Sequence, residues 1–250
     1  MVSQSYSQEN FRKHIKKDHS ISTFSTYLRE IVYGGVDGII TTFAVVAGFT
    51  GAQSGGSIAG FSVAAVLLFG FANLFADSVS MGLGNVLSVR ADQDVYKKYK
   101  NQELSEIKRN PIKEIEETIF ILKSKGFSDE NAKRLATIYS TNQTYWLNFM
   151  MSNELEMESP EKENSIITGI MTTLSFISFG FIPLLPYIVL GYNEHIFAVS
   201  LSATLCALAI LGVLRQRITQ ENAIRSVGEV VILGGVSAVV AYFVGTFFRG

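Results

Sequence analysis

Five long apolar stretches, each close to or above the roughly 20 residues needed to cross a hydrocarbon layer about 30 Å thick, dictate what this chain of 250 residues can become. They fall near 31–52, 57–89, 165–190, 196–214 and 227–248. Inside lipid every backbone N–H and C=O must find its partner within the segment, so stretches of this length fold as helices. The expected class is therefore all-α: a polytopic membrane protein with five transmembrane helices. The second stretch is longer than a bilayer requires, and its C-terminal half is expected to run on as one helix into "RADQDVYKKYK".

The formal net charge of −1 hides a segregation, with 48% hydrophobic residues against only 17% charged. Uncharged blocks alternate with charged ones, and nearly all the acids fall in one central region. No basic surface points to nucleic acid, and none is expected as a partner. Cys206 is the single cysteine, inside an apolar run, so no intrachain disulfide can form; it reads as a small packing residue. The N-terminal thirty residues lack an apolar core followed by a small-residue cleavage site, so a cleaved signal peptide is not expected.

Basic residues set the orientation. Arg12, Lys13, Lys16, Lys17 and Arg29 precede the first span, Arg90, Lys97, Lys98 and Lys100 follow the second, and Arg215, Arg217 and Arg225 lie between the fourth and fifth. The connections "GAQSGG" and "GYNEH" carry no Lys or Arg. This places the N-terminal segment 1–30 and the polar region 90–164 in the cytoplasm, with transmembrane pairs and triplets at 31–89 and 165–250. Arg249, at the other end, is a weak contrary signal. Within 90–164 apolar residues recur at helical spacing, with Gly126 as a C-terminal stop and Ser128 as an N-cap, which predicts an inserted three-helix unit.

Two polar stripes interrupt the first two spans. Asn73, Asp77, Met81 and Asn85 recur every four residues, as do Tyr33, Asp37 and Thr41, and each set shares one helix face. An ionised Asp at mid-membrane costs roughly 2.5–3.5 kcal/mol on the insertion scale, and such residues face protein or water and mark ion pathways. No Lys or Arg lies inside the spans to make Asp37 or Asp77 half of a structural ion pair. Two carboxylates give hard oxygen ligands, and the Met81 thioether adds affinity for softer transition metals over Mg²⁺ or Ca²⁺. Met81 alone would more often be core packing.

The polar region carries a second set. Glu103 and Glu106, then Glu114 and Glu117, stand at i,i+3, and Met150 and Met151 lie about one turn before Glu154. Taken singly such charges are usually a solvated face. Histidine is absent from this region, so the Glu-x-x-His pattern of di-iron bundles is missing, which favours metal capture over iron oxidation.

"VYGGVDGIITTFAVVAGFTGA", "SMGLGNVLSVRADQD", "WLNFMMSNELEME", "GFIPLLPYI" and the closing "GVLRQRITQENAIRSVGEVVILGGVSAVVAYFVGTFF" occur in this order. From Tyr27 onward the chain resembles the vacuolar iron transporter family. The resemblance implies a five-span homodimer with no prosthetic group, moving Fe²⁺, and often Mn²⁺, out of the cytosol in exchange for protons, with Co²⁺ and Zn²⁺ as further ions to test. It implies a vacuolar membrane in a eukaryote and the plasma membrane in a prokaryote. It places a membrane metal site on Asp37, Asp77 and Met81. The inserted helices become a cytoplasmic metal-binding domain with ligands Glu103, Glu106, Glu114, Glu117, Met150, Met151 and Glu154.

Two other classes share parts of this pattern. Intramembrane aspartyl proteases use paired membrane aspartates but need a Gly-x-Gly-Asp element, absent around Asp37 and Asp77. A passive divalent-cation channel can be lined by the same stripe. Uptake that depends on protons separates an exchanger from a channel.

Overall fold

The computed structural model describes residues 11, 13–14, 23–53, 63–191, 194–219 and 222–248. Residues 54–62, which join the first two spans, lie outside these, as do Arg12, Lys16, Lys17 and Arg249. The main helices are α1 (Leu28–Gln53), α2 (Val63–Arg109), α3 (Pro111–Ser124), α4 (Asp129–Ser140), α5 (Gln143–Asn153), α6 (Ser165–Gly180), α7 (Leu185–Val189), α8 (Ile196–Thr219) and α9 (Ala223–Phe247). There is no strand among the described residues. Among the described residues five helical segments are long and apolar enough to cross a membrane: Leu28–Gln53, Val63–Arg109, Ser165–Val189, Ile196–Thr219 and Ile224–Phe247. The expected all-α, five-span class is the observed one.

The second span is one unbroken helix of 47 residues, about 70 Å long at 1.5 Å per residue. It stops at Arg109 because Pro111 follows, and a residue before proline is pushed out of the helical region; Asn110 sits at φ −133°, ψ 59°. The third span, expected as a single helix, is broken instead. Pro183 and Pro186 cannot donate to the helical ladder, so α6 passes through a 3₁₀ turn, Ile182–Leu184, into α7. The Ser200 hydroxyl donates to the Pro183 carbonyl at 2.7 Å, so this buried acceptor at the break is satisfied from α8.

Two compact units result, Met1–Gly84 with Ile167–Gly250, and Asn85–Ile166. In the first, α1 is central: half of its apolar window is buried, against 17% for α9. Phe43, Val46, Leu74, Phe176, Leu184 and Tyr187 form one apolar cluster, and Ile39, Leu208, Leu211 and Val230 another. Outward faces stay apolar, with Phe75, Val79, Leu83, Ile232, Val236, Val239 and Phe243 all exposed. A surface of this kind suits hydrocarbon as its solvent.

In the second unit the far part of α2 packs with α3, α4 and α5. Tyr96, Ile107, Ile121, Trp146, Leu147, Met150 and Met151 form its core. Gly126 ends α3 at φ +95°, its N–H donating to the Lys123 carbonyl at 3.0 Å, and the Ser128 side chain caps α4 by accepting the Asn131 N–H at 3.3 Å. The segment after α5 is tied back to α2. Gln93 donates to the Pro160 and Glu163 carbonyls, and Lys100 pairs with Glu161 at 2.6 Å.

Candidate metal sites

Helix α6 positions the membrane acids. A Cβ on Gly38, the residue after Asp37, would collide with the Phe176 carbonyl, so α1 and α6 touch backbone to backbone there. A Cβ on Gly82, next to Met81, would meet the Thr173 hydroxyl, with the Gly169 carbonyl at 2.9 Å. Hydrogen bonds hold both contacts: Ser175 donates to the Ile31 carbonyl on α1 at 2.6 Å, and Thr173 donates to the Ser78 carbonyl on α2 at 3.2 Å. Close approach through glycine with hydroxyls bonded across the seam is how membrane helices pack without a hydrophobic driving force.

Held in this way, Asp37 and Asp77 are half-buried, and the Asp77 carboxylate lies close enough to act electrostatically on Asp37. Neither enters an ion pair among the described residues. Two acids that form no ion pair among the described residues, in an apolar bundle, are suited to meet a cation. Met81 is half-buried and packs against the Phe43, Leu74 and Phe176 cluster, so it contributes to the core whether or not its sulfur is a ligand. Thr41, on the same face as Asp37, donates back to the Asp37 carbonyl at 2.8 Å, so its own hydroxyl is satisfied within α1.

Glu30 escaped the sequence reading. A charged residue at the head of a span looks like a solvated flank, yet Glu30 is 4% exposed and pairs with Arg29 at 3.2 Å. It stands seven residues before Asp37, on the same face of α1. The sequence signal available was that spacing.

In the acidic unit, carboxylate oxygens of Glu103, Glu114 and Glu154 all lie within 4.8 Å of one another. They come from three helices, α2, α3 and the end of α5. Glu103 and Glu114 are buried and Glu154 is exposed, so the cluster has one open side. One Glu103 oxygen is buried without a hydrogen-bond partner among the described residues. Two unit charges about 5 Å apart repel by about 3 kcal/mol at an effective dielectric of about 20, so three ionised acids cannot sit here uncompensated. Desolvation, followed by the charges of Glu154 and Glu114, pushes the Glu103 carboxyl up to about 8. Glu114 and Glu154 are raised as well, chiefly by burial, with Glu117 next. Three clustered carboxylates, one of them with a buried oxygen that lacks a partner among the described residues, fit a divalent cation with oxygen preference.

Glu106 and Glu117 stand outside this trio. Glu106 accepts from Gln102 at 3.1 Å, and Glu117 pairs with Lys113 at 2.8 Å. Both still act electrostatically on the cluster. Met150 and Met151 are fully buried in the core around Trp146.

The VIT family model matches residues 28–246. Vacuolar iron transporter 1 of Arabidopsis thaliana is 30% identical over 220 residues, 88% of this chain and 85% of that protein. The vacuolar iron transporter of Plasmodium falciparum is 33% identical over 231 residues, 89% of this chain and 82% of its own length. That of Plasmodium berghei is 32% identical over 251 residues, covering 96% and 88%. A match from the first span to the end of the last, together with five membrane-length helices, assigns this chain to the VIT family, a family of transporters rather than enzymes.

Proposed function

We propose that this chain carries ferrous iron across a membrane in exchange for protons, with Mn²⁺, Co²⁺ and Zn²⁺ as competing cargo, and that it works as a homodimer. The observation that carries the reading is the pair Asp37 and Asp77, electrostatic neighbours with no basic counterion among the described residues, with Met81 one turn from Asp77. Carboxylates of this kind hold protons when empty and surrender them to an arriving dication, so metal and proton compete for one place. The relatives' names, vacuolar iron transporter, support iron as the cargo.

The cluster Glu103, Glu114 and Glu154 collects the ion before transport in this reading. The lysine and arginine distribution supports a cytoplasmic side for it and for the N-terminus. The membrane is vacuolar in a eukaryote and the plasma membrane in a prokaryote. Dimerisation is supported by an exposed ridge of small residues on α2, Ala72, Ala76, Ser80 and Gly84 at four-residue spacing, the pattern through which membrane helices associate.

Proteoliposomes loaded with a fluorescent pH probe test the reading. With an acidic lumen, Fe²⁺ entry should accelerate and lumenal pH should rise as protons leave. One pH unit contributes about 1.4 kcal/mol per proton. Asp77→Asn can still contact the ion but cannot titrate, and should stop or uncouple the exchange. Metal entering at full rate with lumenal pH fixed, in wild type as in Asp77→Asn, would replace the exchanger by a channel.

A further inference from the structure

Where α1 starts, α8 stops and α9 starts, the membrane bundle carries a cavity of about 930 Å³ that transport of a cation does not use. That is at the upper end of the roughly 300–1,000 Å³ of small-molecule sites. Its walls include Arg29 and Val36 on α1, Arg215 on α8, and Glu229, Leu233 and Val236 on α9. Neither Asp37 nor any residue of α2 lines it, so it stands apart from the paired acids, Met81 and the ridge of small residues.

Charged and apolar side chains are sorted by depth. Arg29, Arg215 and Glu229 lie near the helix ends, at the mouth. Val36 and Val236 follow Arg29 and Glu229 by seven positions, about 10 Å further in at 1.5 Å per residue. The inner wall is firm, since Val230 is buried and Val36 packs against the same Ile39 and Leu208 cluster. At the mouth, Glu229 accepts from Arg215 at 2.9 Å and from Arg225 at 3.0 Å, and Arg29 pairs with Glu30 at 3.2 Å. Three arginines thus meet two carboxylates, which leaves an excess of positive charge. A guanidinium has several N–H donors in a planar fork. Among the described residues Arg29 engages a carboxylate through Nε alone and Arg215 through Nη1 alone, so both keep donors for a further acceptor.

We propose that this cavity binds one anionic phospholipid of the surrounding leaflet, its phosphate on Arg29 and Arg215 and the start of an acyl chain along Val36, Leu233 and Val236. Basic pockets between membrane helices take such headgroups, and the arginine fork suits phosphate oxygens. A soluble anion has no use for two turns of apolar wall, and a zwitterionic lipid brings no net charge to meet the excess. Symmetry argues against a second copy: two-fold partners in one membrane would set this cavity against itself at equal height, arginine against arginine. In the orientation supported by the lysines and arginines, the leaflet is the cytoplasmic one, where anionic lipids are found.

Native mass spectrometry of the full chain in detergent tests this, with titration by phosphatidylglycerol or by phosphatidylcholine of the same acyl chains. One phosphatidylglycerol per chain should bind at least about fivefold more tightly than phosphatidylcholine, the scale of one basic residue at an anionic membrane surface. Arg215→Gln leaves Glu229 its partner Arg225, and should weaken phosphatidylglycerol about fivefold while changing phosphatidylcholine by less than about twofold. Arg29→Gln carries the same expectation should Arg215→Gln not fold. Val236→Trp fills the apolar half from an exposed position and should weaken phosphatidylglycerol as well. Arg134→Gln removes an equal charge outside the cavity lining and should leave binding unchanged. Several results would overturn the proposal. Equal binding of the two lipids is one, and equal loss in Arg134→Gln and Arg215→Gln, a mere net-charge effect, is another. Glycerol phosphate competing as well as the lipid would make this a soluble-anion site. Binding only after deletion of residues 1–22 would give the cavity to that segment. Val236→Trp splitting a dimer with lipid binding intact would make it a contact between copies.

Discussion

The Thr173 hydroxyl on α6 donates across 3.2 Å to the Ser78 carbonyl on α2, one residue beyond Asp77. The same hydroxyl occupies the space that a side chain on Gly82 would need. The height of Asp77 in the bundle is thus fixed by how closely α2 and α6 approach. Gly82→Leu should wedge them apart, lowering stability by about 1–3 kcal/mol as overpacking does, and metal flux should fall with it. A thermal melt beside a liposome flux assay checks both, and wild-type flux from the variant would mean that this contact does not set the site.

Asp37→Ala should nearly abolish transport while the protein stays folded, because no ion pair to Asp37 is lost. Met81 needs a different substitution, since its truncation also leaves a void beside Phe43 and Phe176. Met81→Leu keeps the volume at a cost typically under about 1.5 kcal/mol and removes only the sulfur. Fe²⁺ flux should drop in both variants, with Mn²⁺ less affected than Fe²⁺ in Met81→Leu. Full flux of both ions in purified Asp37→Ala would remove it from the pathway.

Glu103 makes the acidic unit sensitive to pH in a defined direction. Its folded-state value, raised to about 8, lies above the ordinary 4.5, so between these the folded state binds more protons than the unfolded one. The contribution of Glu103 to the stability of the metal-free unit is fully present below about pH 4.5 and is lost as pH rises toward about 8. A bound dication replaces the proton and should remove the decline, releasing protons as it binds. Glu103→Gln should make the metal-free decline shallower, with Glu114 and Glu154 supplying what remains. Melts from pH 5 to 8.5 with and without Mn²⁺ decide this, and a metal-free profile that rises with pH contradicts it.

Ser128→Ala removes the side-chain acceptor for the Asn131 N–H at the start of α4. The loss should be about 1 kcal/mol, confined to the acidic unit. Hydrogen exchange at the first turn of α4 should quicken, with the apolar spans unchanged.

The five spans were legible because a bilayer imposes length and apolarity on each of them, and the turn from α3 to α4 because Gly126 and Ser128 are residues with one clear backbone use. The break between α6 and α7 was written in Pro183 and Pro186 but was masked by an apolar run that reads as continuous. Within the acidic unit the pattern gave four glutamates equal standing. Only the fold separates buried Glu103 and Glu114 from Glu106 and Glu117, because an i,i+3 spacing does not say which member meets a neighbouring helix. Thr118 carries no sequence signal, since its hydrogen bonds reach Trp146 and Met150, 28 and 32 positions away.

The complete burial of Met150 and Met151 also bears on durability. A thioether near a redox-active cation is open to oxidation, and the sulfoxide is polar, chiral and hard at its oxygen, a poor fit to an apolar core. Sealed behind Trp146 and Leu147, these sulfurs are shielded from dissolved peroxide, so damage must wait for the unit to open. The working lifetime of such a protein under oxidative stress would then follow the opening rate of this small helical core rather than the intrinsic reactivity of methionine.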